Sequence, residues 1–161
     1  METLIQALVV LKKSYSKLKL LCVGPYAYQV SGEHGYYKKI LNMLIEFNID
    51  YEILGVLSDK KLASFFKFID VLVLPSNNRT EAYGMVQREA IAHRTLVVAS
   101  NSPGIRKTIR ETKMGELFNP NSSTDLVVAL KKVIKNEAKY LENSKNVDKL
   151  FTTKPKVFSL H

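Results

Sequence analysis

Residues 70–98 read DVLVLPSNNRTEAYGMVQREAIAHRTLVV, and the parsing of this stretch decides the fold. At its two ends lie short, nearly continuous apolar runs, DVLVLP (70–75) and TLVVAS (95–100). Strands buried on both faces of a sheet have this composition. Between them, the polar run from Ser76 to Thr80 is a loop, and a helix is predicted to start near Gly84 and to run to about His93. Two such strands joined through a helix are parallel neighbours, because parallel pairing needs a crossover.

The same alternation extends outward. LKLLCV (18–23) and YEILG (51–55) are further buried strands. Helical periods lie between and after them: Tyr37, Ile40, Leu41, Leu44 and Ile45 share one face, as do Leu62, Phe65, Phe66 and Ile69, and as do Leu126, Ala129, Leu130, Val133 and Ile134. Phe68 is expected in the core with Phe65 and Phe66. Ser58 and Ser122 stand where N-caps belong. Repeated strand–helix units predict an α/β fold with a doubly wound parallel sheet covered by helices on both faces. Leu4, Leu8 and Leu11 place a helix first, with no strand expected ahead of it. KNVDKLFTTKPKVFSLH (145–161) reads as a short helix and a tail, so the chain divides into a domain over 1–136 and a C-terminal helix and tail over 137–161.

At 161 residues the chain suits one domain with a sizeable core. Its formal charge of +9 comes from 19 Lys and 5 Arg. Phosphate-bearing partners would suit that balance. Arg, which reads phosphate and base edges bidentately, is scarce, and no helix-turn-helix or zinc spacing occurs, so nucleic acid is not expected as a partner. Cys22, the only cysteine, sits in an apolar run and fits a core residue in a reducing compartment. No apolar stretch approaches the ~20 residues of a membrane span, and acidic Glu2 replaces the basic start of a signal peptide. A soluble, cytoplasmic protein is expected.

Glu81 and Glu89 flank the Tyr83-Gly84 pair, eight residues apart. In an open parallel sheet, ligands bind in the crevice at the carboxyl ends of the strands, where this loop lies. The N–H groups around Gly84, Met85 and Val86 lack helical partners and form an anion site, and Gly84 lets a phosphate approach closely. The order carboxylate, phosphate turn, carboxylate matches the hydroxyls, diphosphate and ribose diol of a nucleotide sugar. Glu89 precedes Ala90, Ile91 and Ala92 directly, and on that ground is expected in a covered position rather than on a solvated face.

The segment from Asp70 to Ile109 resembles the donor-binding half of GT-B retaining glycosyltransferases of the group-1 (family 4) type. It carries that family's apolar strand ending in Pro-Ser, Glu-x-(Phe/Tyr)-Gly, a second Glu eight after the first, a Val-Val strand and a Gly-containing turn. The similarity extends from the first helix to about Asn136. It implies a Rossmann-like domain that binds a nucleotide-diphosphate sugar as substrate, with no metal or other cofactor. By position, Glu81 would contact the donor sugar hydroxyls as the catalytic residue. Tyr83, Gly84, Met85 and Val86 would supply backbone around the diphosphate, and Glu89 would hold the ribose diol. The turns at Gly24-Pro25 and Gly55-Val56-Leu57 would border the sugar-phosphate and the base. Glycines that simply end strands are an equally good account of those two turns.

The chain departs from the family at Arg94 and Leu96, where Gly and Pro are usual, and at Lys107, where a Glu is usual. The Arg and Lys that stabilise the leaving diphosphate, and the acceptor-binding domain, have no counterpart in the sequence. An excised domain, a subunit completed by a partner chain and a decayed gene product all fit. The resemblance therefore implies a hexosyltransferase-type donor domain, weak or inactive alone, that works with an acceptor-binding domain or subunit in polysaccharide or glycolipid biosynthesis. The basic tail favours a lipid acceptor at a membrane surface. A non-catalytic nucleotide-sugar-binding or interaction module working with a partner chain is the alternative. No Asp-x-Asp pair, metal-ligand histidine spacing, Gly-x-Ser-x-Gly elbow or Walker motif occurs. His34, in SGEHGYY, is expected as a solvated loop residue.

Overall fold

The computed structural model describes residues 1–25, 34–76 and 85–147. In chain order the elements are α1 (Glu2–Lys12), β1 (Lys19–Val23), α2 (His34–Glu46), β2 (Asp50–Gly55), α3 (Asp59–Phe68), β3 (Val71–Leu74), α4 (Met85–Ala92), β4 (Leu96–Ser100), α5 (Pro103–Thr112), β5 (Gly115–Phe118), α6 (Ser123–Lys135) and α7 (Glu137–Leu141), then a 3-10 turn (Glu142–Asn146). The expected strands are present with bounds shifted by one residue. His34 opens α2 instead of lying in a loop.

All the pairings are parallel, but they form two sheets rather than one. β1 pairs with β2 from Lys19↔Asp50 to Val23↔Gly55. The second sheet has the order β3-β4-β5. All of β1 and β3 but no residue of β2 or β5 lines one cavity, so β1 and β3 are the facing edges, and the chain winds in one direction from β1 to β2 and in the other from β3 to β5. With right-handed crossovers, opposite winding places the connecting helices on opposite faces. Packing agrees with this, since α1 meets α2 and α6 while α3 meets α4.

β4 is the centre of the core, with all five residues buried between two hydrogen-bonded neighbours. Ile91 of α4, Ile105 of α5 and Leu126 and Val133 of α6 are fully buried in the same cluster. Leu4, Ile5, Leu8 and Leu11 bury one side of α1 against α6. Thr95 fastens α3 to the start of β4 by donating from Oγ1 to the Phe66 carbonyl at 2.6 Å, and the His93 ring stacks on Phe66 at 6.0 Å. A charged clasp joins α1 to α2: Glu2 accepts from the Tyr36 hydroxyl at 2.8 Å and from Lys39 at 3.0 Å. Glu2's own backbone N–H, then Tyr36 and Lys39, hold its carboxyl at about 2.

Several expectations are corrected. Phe68 is 76% exposed, because it is the last residue of α3 and turns away from the core that Phe66 enters. Ile45 is likewise exposed near the end of α2, whereas Ile40 and Leu44 are buried. Ser122 caps α6 by accepting from the Asp125 N–H at 3.1 Å, but Ser58 makes no side-chain cap bond to α3. The Ser102-Pro103-Gly104 turn is the N-terminus of α5, with Ser102 at the N-cap and Pro103 at the first helical position. The C-terminal segment is tied down: Tyr140 donates to Glu116 of β5 and Val147 is buried. Burial, and then that hydrogen bond, push the Tyr140 hydroxyl well above the usual tyrosine range. Among the described residues no helix is long and apolar enough to cross a membrane.

Two backbone positions yield opposite mutational outcomes. Arg94 has φ +64°, where a side chain costs about 1–2 kcal/mol, so Arg94→Gly is expected to add up to about 1 kcal/mol of stability after the greater freedom of the unfolded glycine is counted. Gly115 sits opposite Val97, and a Cβ there would lie 1.7 Å from the Val97 carbonyl oxygen. Gly115→Ala should therefore cost at least about 2 kcal/mol. Urea denaturation of the two variants checks both signs.

The clasp predicts an acid response. Because folding lowers the Glu2 pKa from 4.5 to about 2, its contribution is present above 4.5 and is lost as the pH falls towards 2. Glu2→Gln should be less stable than the parent at pH 7 and should converge with it by pH ~2, as thermal melts across that range would show.

Candidate functional site

The carboxyl ends of the strands meet on one side of the molecule. At the ends of β1 and β2, the Gly24 N–H donates to the Gly55 carbonyl at 2.9 Å, which joins the two turns singled out in the sequence. Gly24 has φ +132° and Gly55 φ +67°, both conformations that favour glycine. Among the described residues nothing lies within 4 Å of where a Gly24 Cβ would stand, and Val56 is 67% exposed. The two turns therefore present open backbone and an apolar side chain to the outside.

The ends of β3, β4 and β5 are held more tightly. Ser100, fully buried at the end of β4, donates from Oγ to the Ser76 carbonyl at 2.6 Å. The Asn101 N–H bonds the Phe118 carbonyl at 2.8 Å. Just beyond, at the entrance to α5, Asn101 Oδ1 and Ser102 Oγ are buried with no hydrogen-bond partner among the described residues. Gln87 is fully buried in α4, where its Nε2 donates to the Ile105 carbonyl of α5 at 3.0 Å and its Oε1 has no partner among the described residues. These buried polar groups are not among the site residues expected from the sequence. The available signal was a polar residue at the end of an otherwise apolar strand.

Helix α4 begins at Met85, and an α-helix leaves its first N–H groups without intrahelical partners. Met85 is 62% exposed and Val86 is half-buried. Glu89, one turn after Met85 on the same side, is exposed, which overturns the expectation that it is covered. Helical rotation explains the difference. Gln87, Ala90 and Ile91 form the buried side, and at 100° per residue Glu89 falls opposite them. Glu81, Tyr83 and Gly84 lie outside the described residues. Lys107 is on the exposed side of α5, 3.9 Å from Glu111.

Comparison with known proteins fits this layout. The family described as Glycosyl transferases group 1 matches residues 1–150. An uncharacterized glycosyltransferase of Methanocaldococcus jannaschii is 33% identical over 131 residues, covering 79% of this chain and 37% of that protein. The lipopolysaccharide 1,2-N-acetylglucosaminetransferase of Salmonella typhimurium is 30% identical over 139 residues, covering 85% of this chain and 36% of that enzyme. The chain thus spans little more than a third of the length of these relatives. Among solved structures, Anabaena HepE in complex with UDP and glucose superposes with a TM-score of 0.77 at 19% identity, over 93% of this chain and 39% of HepE. The doubly wound unit is a Rossmann-like domain of the GT-B type, and the chain belongs to the group 1 glycosyl transferases.

Proposed function

We propose that this chain is the C-terminal, nucleotide-sugar-binding half of a GT-B glycosyltransferase that transfers a hexose with retention of configuration and without a metal ion. The observation that carries this reading is the placement of α4. The helix starts after the carboxyl end of β3, and Glu89 stands exposed one turn inside it, where a carboxylate can accept both protons of a vicinal diol. The N–H groups at the start of the helix suit a diphosphate, and the open turns at Gly24 and Val56 suit the remainder of the nucleotide. HepE binds UDP and glucose within the same fold, which supports the ligand class.

In this reading Glu81 is the catalytic residue at the donor sugar, backbone from Tyr83 to Val86 surrounds the diphosphate, and Glu89 holds the ribose. Positive charge at the leaving diphosphate comes from residues outside this sequence, an Arg and a Lys that the family carries in the strand and loop ahead of the helix that α1 matches, and such fixed charge is worth several kcal/mol of barrier. The chain alone is therefore a weak catalyst at best. A Salmonella relative that acts on lipopolysaccharide supports a glycolipid or polysaccharide acceptor, with the protein cytoplasmic and peripheral to the membrane. The separation of β1 from β3 favours a second reading, a nucleotide-sugar-binding module that works with a partner chain and does no chemistry itself.

Calorimetric titration of the purified chain with UDP, GDP and their sugars should give saturable binding to one nucleotide series. Glu89→Ala should weaken it roughly tenfold or more, as expected for loss of hydrogen bonds to a charged group. Undiminished affinity in that variant would remove Glu89 from the ribose. Once acceptor-binding sequence is supplied, Glu81→Gln should abolish sugar transfer with the melting temperature unchanged. Normal turnover would remove Glu81 from its role, and no turnover even with Glu81 intact would favour the second reading.

A further inference from the structure

The fully buried side chains of α4 are Gln87, Ala90 and Ile91, and they are unevenly placed. Ala90 and Ile91 belong to the second half of the helix, away from the crevice at the strand ends. In the first turn, Met85 is 62% exposed, and Val86 is half-buried against the open cavity between β1 and β3. Gln87 is therefore the buried anchor at the end of α4 that faces the crevice.

Its hydrogen bonding is one-sided. Nε2 donates to the Ile105 carbonyl of α5 at 3.0 Å, while Oε1 is buried with no partner among the described residues. Ile105 does not need that donor, because its carbonyl lies inside α5, where the N–H four residues further on bonds to it. A buried carboxamide oxygen without a donor opposes folding. An apolar side chain of the same length would fill the space and leave no polar group unmet. A buried group that does so little for the fold points to a use outside stability.

That use lies in direction. Apolar burial is non-directional, so Ala90 and Ile91 hold α4 against the sheet without fixing its rotation closely. A hydrogen bond fixes an angle as well as a distance. Glu89 stands two residues beyond Gln87, about 200° around the helix, so the two side chains lie on opposite sides and turn together. With side chains reaching about 5–6 Å from the axis, a rotation of about 20° would carry the Glu89 carboxylate about 2 Å. Hydrogen-bond lengths span only about 0.5 Å.

We infer that Gln87 is a positioning residue of the nucleotide site: its bond across to the Ile105 carbonyl sets the rotation of α4 and with it the direction of Glu89. The inference rests on the reading of Glu89 as the ribose ligand, and adds to it the residue that aims the carboxylate.

A double-mutant cycle on the purified chain tests it. The parent, Gln87→Met, Glu89→Ala and the double variant are titrated calorimetrically with UDP and GDP, and each is unfolded in urea. Gln87→Met keeps the length of the side chain and removes both the donor and the unmet oxygen. It should be at least as stable as the parent, yet bind nucleotide roughly fivefold more weakly. In the Glu89→Ala background the same substitution should change affinity by less than about twofold, because no carboxylate is left to aim. A residue that only supports the fold would instead lower stability and affinity together in both backgrounds. Unchanged affinity in Gln87→Met would overturn the proposal, as would an equal loss with and without Glu89, or a loss of affinity that follows lost stability. Failure of the underlying reading looks different: the parent then binds neither nucleotide, or binds as well without Glu89, and the inference falls with it.

Discussion

The pairing of β4 on both edges is the constraint on which the rest of the molecule depends. A parallel strand cannot reach its neighbour by a hairpin, so β3, β4 and β5 must be joined through α4 and α5, and those helices must bury an apolar side against the sheet. Burying Gln87, Ala90 and Ile91 fixes the rotation of α4, and that rotation turns Glu89 outward. The exposed carboxylate is therefore a by-product of core packing. The close fit of Gly115 against Val97 and the buried polar links of Thr95, Ser100 and Gln87 hold the same frame from other directions.

The arrangement also explains why a ligand site belongs at the strand ends. The winding reverses between β1 and β3, and crevices in open α/β sheets form at such a reversal. The Gly24 and Gly55 turns lie on one side of that point, and α4 and the entrance to α5 on the other. Buried groups at Asn101, Ser102 and Gln87 that have no partner among the described residues concentrate on the second side.

Much of this could be read from residues alone, for identifiable reasons. Four strands declared themselves because runs such as LVV and VLVL admit few other readings. β5 did not, since GELF is four residues long and opens with a glycine and a glutamate. α5 was hidden by the Ser-Pro-Gly that begins it, which signals a turn and a helix start equally well. The exposure of Glu89 follows from its angle around the helix, which its apolar neighbours in sequence do not report. Phe68 and Ile45 follow from the same geometry, as apolar residues at helix ends where the face has rotated past the core. Hydrophobic pattern reports how deeply a strand wishes to be buried but not which strand lies beside it, so the division into two sheets was illegible.

That division sets how the molecule holds together as a unit. Among the described residues, no backbone hydrogen bond links β1 to β3, so the β1–α2–β2 portion is not continuous with the remainder through any ladder. The connection runs chiefly through α1, which packs on α6, touches α2, and reaches across with Glu2 to Tyr36 and Lys39 and with Lys12 to the Asn48 carbonyl. Among the described residues, α1 thus carries both apolar and charged links to the two portions. Loosening α1 would therefore weaken the coupling through which the two portions melt together.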